Sequence, residues 1–177
     1  MKKLILTALA LAIVAIAPAA FAASATTNIS VTANVTANCT ITTAAVAFGA
    51  YDPVETNAAA PLNNNGSVTI ACTKGSAPNV TLGLGSHASG AIRRMLGGTS
   101  ADFLTYELYK PPDTTPGTAC TYPGTTIWGT SGANIFTPTA SPGKAARTYN
   151  VCGTVAAGQD VGVDASYADS VVATVNF

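Results

Sequence analysis

Eight residues near the start of the chain, Asn28 to Val35, alternate without a break: Ile29, Val31, Ala33 and Val35 against Asn28, Ser30, Thr32 and Asn34. A period of two in an extended chain places every apolar side chain on one face and every polar one on the other. No turn beside this segment ties it to a neighbour. It reads either as an ordinary first strand pairing within its own domain or as a strand donated to the sheet of another molecule. Periodicity alone does not choose between them.

What precedes the segment bears on the compartment. Met1-Lys2-Lys3 is a short positive start, Leu4 to Ala17 is apolar, and Ala20-Phe21-Ala22 before Ala23 fits the small-x-small pattern of signal-peptide cleavage. The apolar run falls short of the roughly 20 residues that span a bilayer. We therefore expect residues 1–22 to be a Sec signal, removed on export. Six Lys+Arg then face eight Asp+Glu, a formal charge of −2, and charged residues make up only 9% of the whole chain. Such a surface has no basic stripe for nucleic acid and no polybasic segment for an anionic membrane, so neither nucleic-acid binding nor direct membrane insertion is expected. About 155 residues remain, enough for one domain with a substantial core.

Four cysteines, Cys39, Cys72, Cys120 and Cys152, lie beyond the leader. In an exported chain an even count points to disulfides. No C-x-x-C occurs and the single histidine, His87, is distant in sequence, which gives a structural zinc site little support. Three connectivities are open. Cys39 with Cys72 and Cys120 with Cys152 is the favoured one; each bridge closes about 33 residues and is worth roughly 3 to 4 kcal/mol by chain entropy.

The rest of the chain reads as short strands and turns. Ala44–Phe48, Ser67–Thr73, Val80–Leu84, Phe103–Lys110, Thr126–Gly129, Thr148–Val155, Gln159–Val163 and Tyr167–Phe177 are the expected strands. Asn63-Asn64-Asn65-Gly66 reads as the end of a loop. Phe103–Lys110 carries aromatic bulk on both faces and is expected to be central. In Thr148–Val155, Cys152 points away from the Tyr149 face, which suits a bridge to a Cys120 loop lying over the sheet. Arg93 and Arg94 read as a solvated strand edge. Seven to nine strands with no helical periodicity after the leader indicate an all-β sandwich.

Catalysis has little support. Ser86-His87 is adjacency in sequence, and no G-x-S-x-G, H-E-x-x-H or phosphate-binding glycine loop occurs. No cofactor or metal is expected. A binding module would need exposed aromatics, for which Tyr51, Tyr109, Tyr122 and Trp128 are the candidates, but aromatics are only 7% of the chain.

A set of ordered motifs is more specific. Gly49-Ala50-Tyr51-Asp52-Pro53, Cys72-Thr73-Lys74-Gly75, Arg94-Met95, Leu104-Thr105-Tyr106-Glu107-Leu108-Tyr109, Ile127-Trp128-Gly129 and Gly158-Gln159-Asp160-Val161 are followed by Tyr167-x-Asp169-x-Val171-x-x-Thr174-Val175-x-Phe177. Taken together they resemble the spore coat protein U domain family over nearly all of the exported chain. That family includes major subunits of archaic chaperone–usher pili and secreted spore-coat proteins. The chain departs from its usual pattern at Cys120 and Cys152.

The resemblance implies an immunoglobulin-like β-sandwich over residues 39–177, lacking its final strand and completed by the N-terminal extension, residues 23–38, of a neighbouring subunit. Ile29, Val31, Ala33 and Val35 would be the donated side chains. Val171, Ala173, Val175 and Phe177 would border the acceptor groove, where a chaperone strand pairs first. Copies of the same chain, a periplasmic chaperone and an outer-membrane usher would be the partners. The product would be a cell-surface fibre serving attachment or biofilm formation, reached through the periplasm. The alternatives are a secreted coat-type structural protein and a single-domain adhesin or carbohydrate-binding module. Burying Ile29, Val31 and Val35 at roughly 1.5 to 3 kcal/mol each gives such an exchange its driving force, on top of main-chain bonds along an open sheet edge.

Overall fold

A computed structural model describes residues 22–177; the signal-peptide reading, apart from Ala22, lies outside them. The described residues divide into two units, residues 22–34 and residues 35–177, and within the first no strand or helix forms. The expected first strand is therefore not a strand here, and the first to form is β1, Cys39–Ala44.

β2 (Leu62–Cys72) follows, then β3 (Asn79–Leu82), β4 (Arg93–Gly97), β5 (Phe103–Tyr109), β6 (Arg147–Val155), β7 (Tyr167–Ala168) and β8 (Ala173–Asn176). The only α-helix among the described residues, α1, is the four-residue Thr56–Ala59. One sheet has the order β1-β2-β6-β5-β4-β7 and a second pairs β3 with β8; all pairs are antiparallel. β5 lies between β6 and β4, so the strand with bulk on both faces is an interior one. Val68, Ile70, Tyr106, Leu108, Tyr149 and Val151 of the larger sheet share one core with Val80 and Leu82 of β3. Strand alternation supplies the inward residues of each layer. The result is an all-β, immunoglobulin-like sandwich.

Four expectations change on contact with the tertiary structure. Asn63-Asn64-Asn65-Gly66 is strand, because β6 pairs all four residues in register, Asn65 opposite Cys152 and Gly66 opposite Val151. Glycine is required at 66: a Cβ there would come within 2.5 Å of the Ala44 carbonyl oxygen. Ala44–Phe48 is strand only at its first residue, although Val46 and Phe48 still pack against the core. Thr126–Gly129 reduces to a single bridge between Ile127 and Tyr109. Tyr167–Phe177 is broken: β7 pairs with β4, β8 pairs with β3, and Asp169–Val172 carries the chain from one sheet to the other.

Arg93 is not at a solvated edge. It is fully buried, and its guanidinium donates to the carbonyls of Leu82, Gly83 and Trp128 and to the carboxylate of Glu107. Arg94, the next residue, faces the other way and stacks 3.9 Å over the Phe103 ring. Both disulfides sit on this frame. Cys39–Cys72 joins directly opposed residues of β1 and β2. Cys120–Cys152 ties the loop carrying Tyr122 across the outer face of β6, where the Tyr122 hydroxyl donates to the Asn64 carbonyl at 2.8 Å.

Candidate functional site: an apolar groove

The sandwich is open along one side. Beyond β1, residues 45–53 join no strand ladder, and neither do residues 158–166 before β7. Between these segments lie two adjoining cavities of about 390 and 680 Å³. They share Val46, Ala47, Phe48, Met95 and Tyr167, and so form one groove. Inner floor residues are Val68, Leu82, Met95, Tyr106, Leu108 and Val151. Leu62, Leu104 and Val155 continue the apolar lining outward. An unpaired backbone edge above an apolar floor is what accepts an extended, alternating segment: the edge offers hydrogen bonds and the floor offers pockets at every second residue.

Side chains, rather than ladder bonds, hold each wall in place. On one side Asn64 Nδ2 donates to the Ala47 carbonyl, and the Tyr51 hydroxyl donates to the Ala156 carbonyl while accepting from the Gln159 N–H, both at 2.9 Å. On the other, Asp164 accepts from the N–H groups of Thr99 (2.6 Å), Ser100 (2.8 Å) and Ser166 (3.0 Å). Asp102 accepts from Gly162 N–H at 2.7 Å. Within Gln159–Val163 the Gly162 N–H is taken by Asp102 and the Gln159 N–H by the Tyr51 hydroxyl, so these two donors serve side chains rather than a ladder, and the expected strand does not form.

The N–H bonds to Asp164, that from Ser100 foremost, pull its pKa down to about 2. A carboxyl depressed on folding stabilises the native state above its unfolded pKa, and that contribution is lost as pH falls through the folded value. We expect the urea midpoint to drop between about pH 4 and pH 2. Asp164→Asn should flatten this part of the profile. An identical profile in the variant would mean that the loop is not held by the carboxylate charge.

Asp169 lies where the C-terminal strand changes sheets. Its side chain is 2% exposed. It accepts from the Ser86 N–H (2.8 Å), the His87 N–H (3.1 Å) and the Tyr106 hydroxyl (2.7 Å), with His87 Nδ1 3.2 Å away. Burial alone would raise the Asp169 pKa, but the bonds from Tyr106, Ser170, His87 and Ser86 outweigh it and hold the group below the usual carboxylate range. Burial first, and then the bond to Asp169, push the Tyr106 hydroxyl well up. The Ser86 hydroxyl lies 3.3 Å from the Ser170 carbonyl, which it donates to rather than addressing His87. These three residues therefore fasten a loop to the groove edge and do not form a nucleophile–base pair.

Of the sequence-nominated residues, Val171 and Ala173 line the inner groove. Val175 packs against the core opposite Val80, and Phe177 lies beyond β8, 55% exposed. Ile29, Val31 and Val35 are 85%, 88% and 79% exposed; Ala33 is exposed too. Trp128 is fully buried with its indole N–H on the Val80 carbonyl, so it offers no binding platform. The floor residues Met95 and Leu108 belong to two of the ordered motifs, but nothing in those motifs assigns them to a groove, and their inward phase on β4 and β5 is shared with ordinary core residues. Among the described residues, no cluster of His, Cys, Asp or Glu could hold a metal ion.

Comparison with known proteins is consistent with this geometry. The Spore Coat Protein U domain model matches residues 25–174. Protein U of Myxococcus xanthus is 39% identical over 182 residues, covering 95% of this chain and 93% of Protein U. Among solved structures, the CsuC–CsuE chaperone–tip adhesion subunit pre-assembly complex from archaic chaperone–usher Csu pili of Acinetobacter baumannii is similar, with a TM-score of 0.54 and 25% identity. That match covers 81% of this chain and 40% of the other, so this chain spans about two fifths of its length.

Proposed function

This chain belongs to the Spore Coat Protein U domain family, and from that membership we propose that it is the structural subunit of an extracellular fibre built by donor-strand complementation. The family and the fold are those of pilus-type structural subunits rather than enzymes. In our reading, residues 23–38 form the donor extension and residues 39–177 the acceptor domain. Ile29, Val31, Ala33 and Val35 of one copy enter the groove of the next. A periplasmic chaperone fills the groove in transit, and an outer-membrane usher delivers the subunit to the surface, where the fibre serves attachment or biofilm formation.

One observation carries this reading. An alternating eight-residue segment joins no strand among the described residues and leaves its valines and isoleucine largely exposed, in a chain whose sandwich carries an apolar groove. As a strand the segment is roughly 26 Å long, eight residues against the nine, 45–53, whose backbone joins no ladder. Left exposed, both surfaces would be aggregation-prone, which is the physical need for a chaperone.

The 39% identity with Protein U across nearly its full length favours a second form of the same assembly, a coat-type structural protein using the same strand. Dependence of surface delivery on an usher separates the two.

Exported material run on a denaturing gel without reductant tests the reading. Unboiled samples are expected to show a ladder that collapses to one band on boiling, because donated strands are held non-covalently behind a high kinetic barrier. One monomer band in both lanes would reject the donor-strand reading and return the single-domain binding module to first place.

A further inference from the structure

The extension does not leave the domain through a free linker. The Thr73 N–H donates to the Asn38 carbonyl at 2.8 Å, and the Asn38 N–H donates to Thr73 Oγ1 at 3.1 Å. The same hydroxyl lies 3.3 Å from the Thr36 carbonyl and 3.4 Å from that of Asn38. A hydroxyl has one proton to give. The Asn38 carbonyl already accepts the Thr73 N–H, so the Thr36 carbonyl is the better-placed acceptor. The next residue, Cys39, is bonded to Cys72, immediately before Thr73.

Three positions of the root, 36, 38 and 39, are thus held by two consecutive residues at the end of β2. Val35, the last apolar member of the alternating segment, is bonded directly to Thr36. No unattached residue stands between them, whereas each free residue would add about 3.3 to 3.6 Å of reach and loosen the coupling between the bodies it joins.

We propose that Cys72 and Thr73 form a root clamp that sets the direction in which residues 23–35 leave the domain, so that successive copies of this chain in a fibre are joined at a fixed angle with no free linker. The inference deepens the fibre reading and rests on it. Thr73 is a positioning residue, acting on the neighbouring copy only through the extension. β2 is the appropriate anchor because it pairs with β1 on one side and β6 on the other, so load reaching Cys39, the first residue of β1, is shared with the interior of the sheet through the bridge to Cys72.

Thr73→Val removes the hydroxyl and keeps the side-chain shape; Thr73→Ser restores the hydroxyl. In the mature chain before assembly, the Asn38 amide should exchange at least about tenfold more slowly than those of Ser30 and Asn34, and Thr73→Val should abolish the difference. In electron micrographs, Thr73→Val fibres should form but bend more, with a persistence length reduced by about twofold or more, and Thr73→Ser fibres should match wild type. Fast Asn38 exchange in the wild-type chain, or Thr73→Val fibres as stiff as wild type, would overturn the clamp. Absence of fibres from the wild-type chain, with Asn38 still protected, would instead reject the fibre reading and the fixed subunit angle with it.

Discussion

A Val31→Arg chain is expected to fold, form both disulfides and fail to polymerise. Valine brings roughly 1.5 to 3 kcal/mol of burial to a donated strand. A guanidinium sent to the same place must leave water for a floor made of residues such as Val68, Leu82, Met95 and Leu108, and an unpaired buried charge costs at least several kcal/mol. Asp169 is the one carboxylate on the inner lining, and it is already engaged by Ser86, His87 and Tyr106, so it is a poor partner for an incoming arginine. The sign of the donor contribution therefore reverses at that position. Val31→Ala, which only loses contact area, should slow assembly without abolishing it. The ladder on an unboiled gel is the readout, with circular dichroism to show that the domain is intact. A normal ladder from Val31→Arg would exclude residues 28–35 as the inserted strand.

Arg93→Ala is expected to lower stability by about 3 to 5 kcal/mol, the range found when one partner of a buried ion pair is removed. The side chain is fully buried and reaches three carbonyls from two segments in addition to Glu107. Truncation leaves those acceptors without a donor. Lysine would not substitute: a single ammonium cannot occupy the forked positions that meet the Gly83 carbonyl, the Trp128 carbonyl and the Glu107 carboxylate together. Arg93→Lys should thus recover only part of the loss. The check is the urea midpoint at neutral pH. A loss under about 1 kcal/mol, the scale of one ordinary hydrogen bond, would mean that water reaches the orphaned carbonyls and that Arg93 is not a structural strut.

These two substitutions fall on residues that the sequence treats very differently. Val31 announces itself: it sits in an unbroken alternation with no turn to close it, and among the described residues no strand pairs with it. Arg93 is concealed. Beside Arg94 it looks like part of a charged edge, and its burial follows from carbonyls 10, 11 and 35 residues away in the chain that only the packing of β3 and the Trp128 loop brings within reach.

The same division runs through the fold. Period-two patterning, a property of each strand by itself, was enough to place most of β2, β3, β5 and β6 and to assign Tyr149 and Cys152 to opposite faces. Residue types also pointed to a weakly charged, all-β chain and to its family. What depended on contacts between distant segments could not be read locally. Asn63–Gly66 has turn chemistry, yet pairing with β6 and the close approach of Ala44 to Gly66 make it strand. Tyr167–Phe177 has one continuous alternation, yet it divides between two sheets at Asp169, whose carboxylate is held by a loop more than 80 residues earlier. The groove is of this second kind. Its walls are held by Asn64, Tyr51, Asp102 and Asp164 acting across the chain, so the sequence determined the alternation of residues 28–35, and only the tertiary structure decided where an apolar groove had been left open.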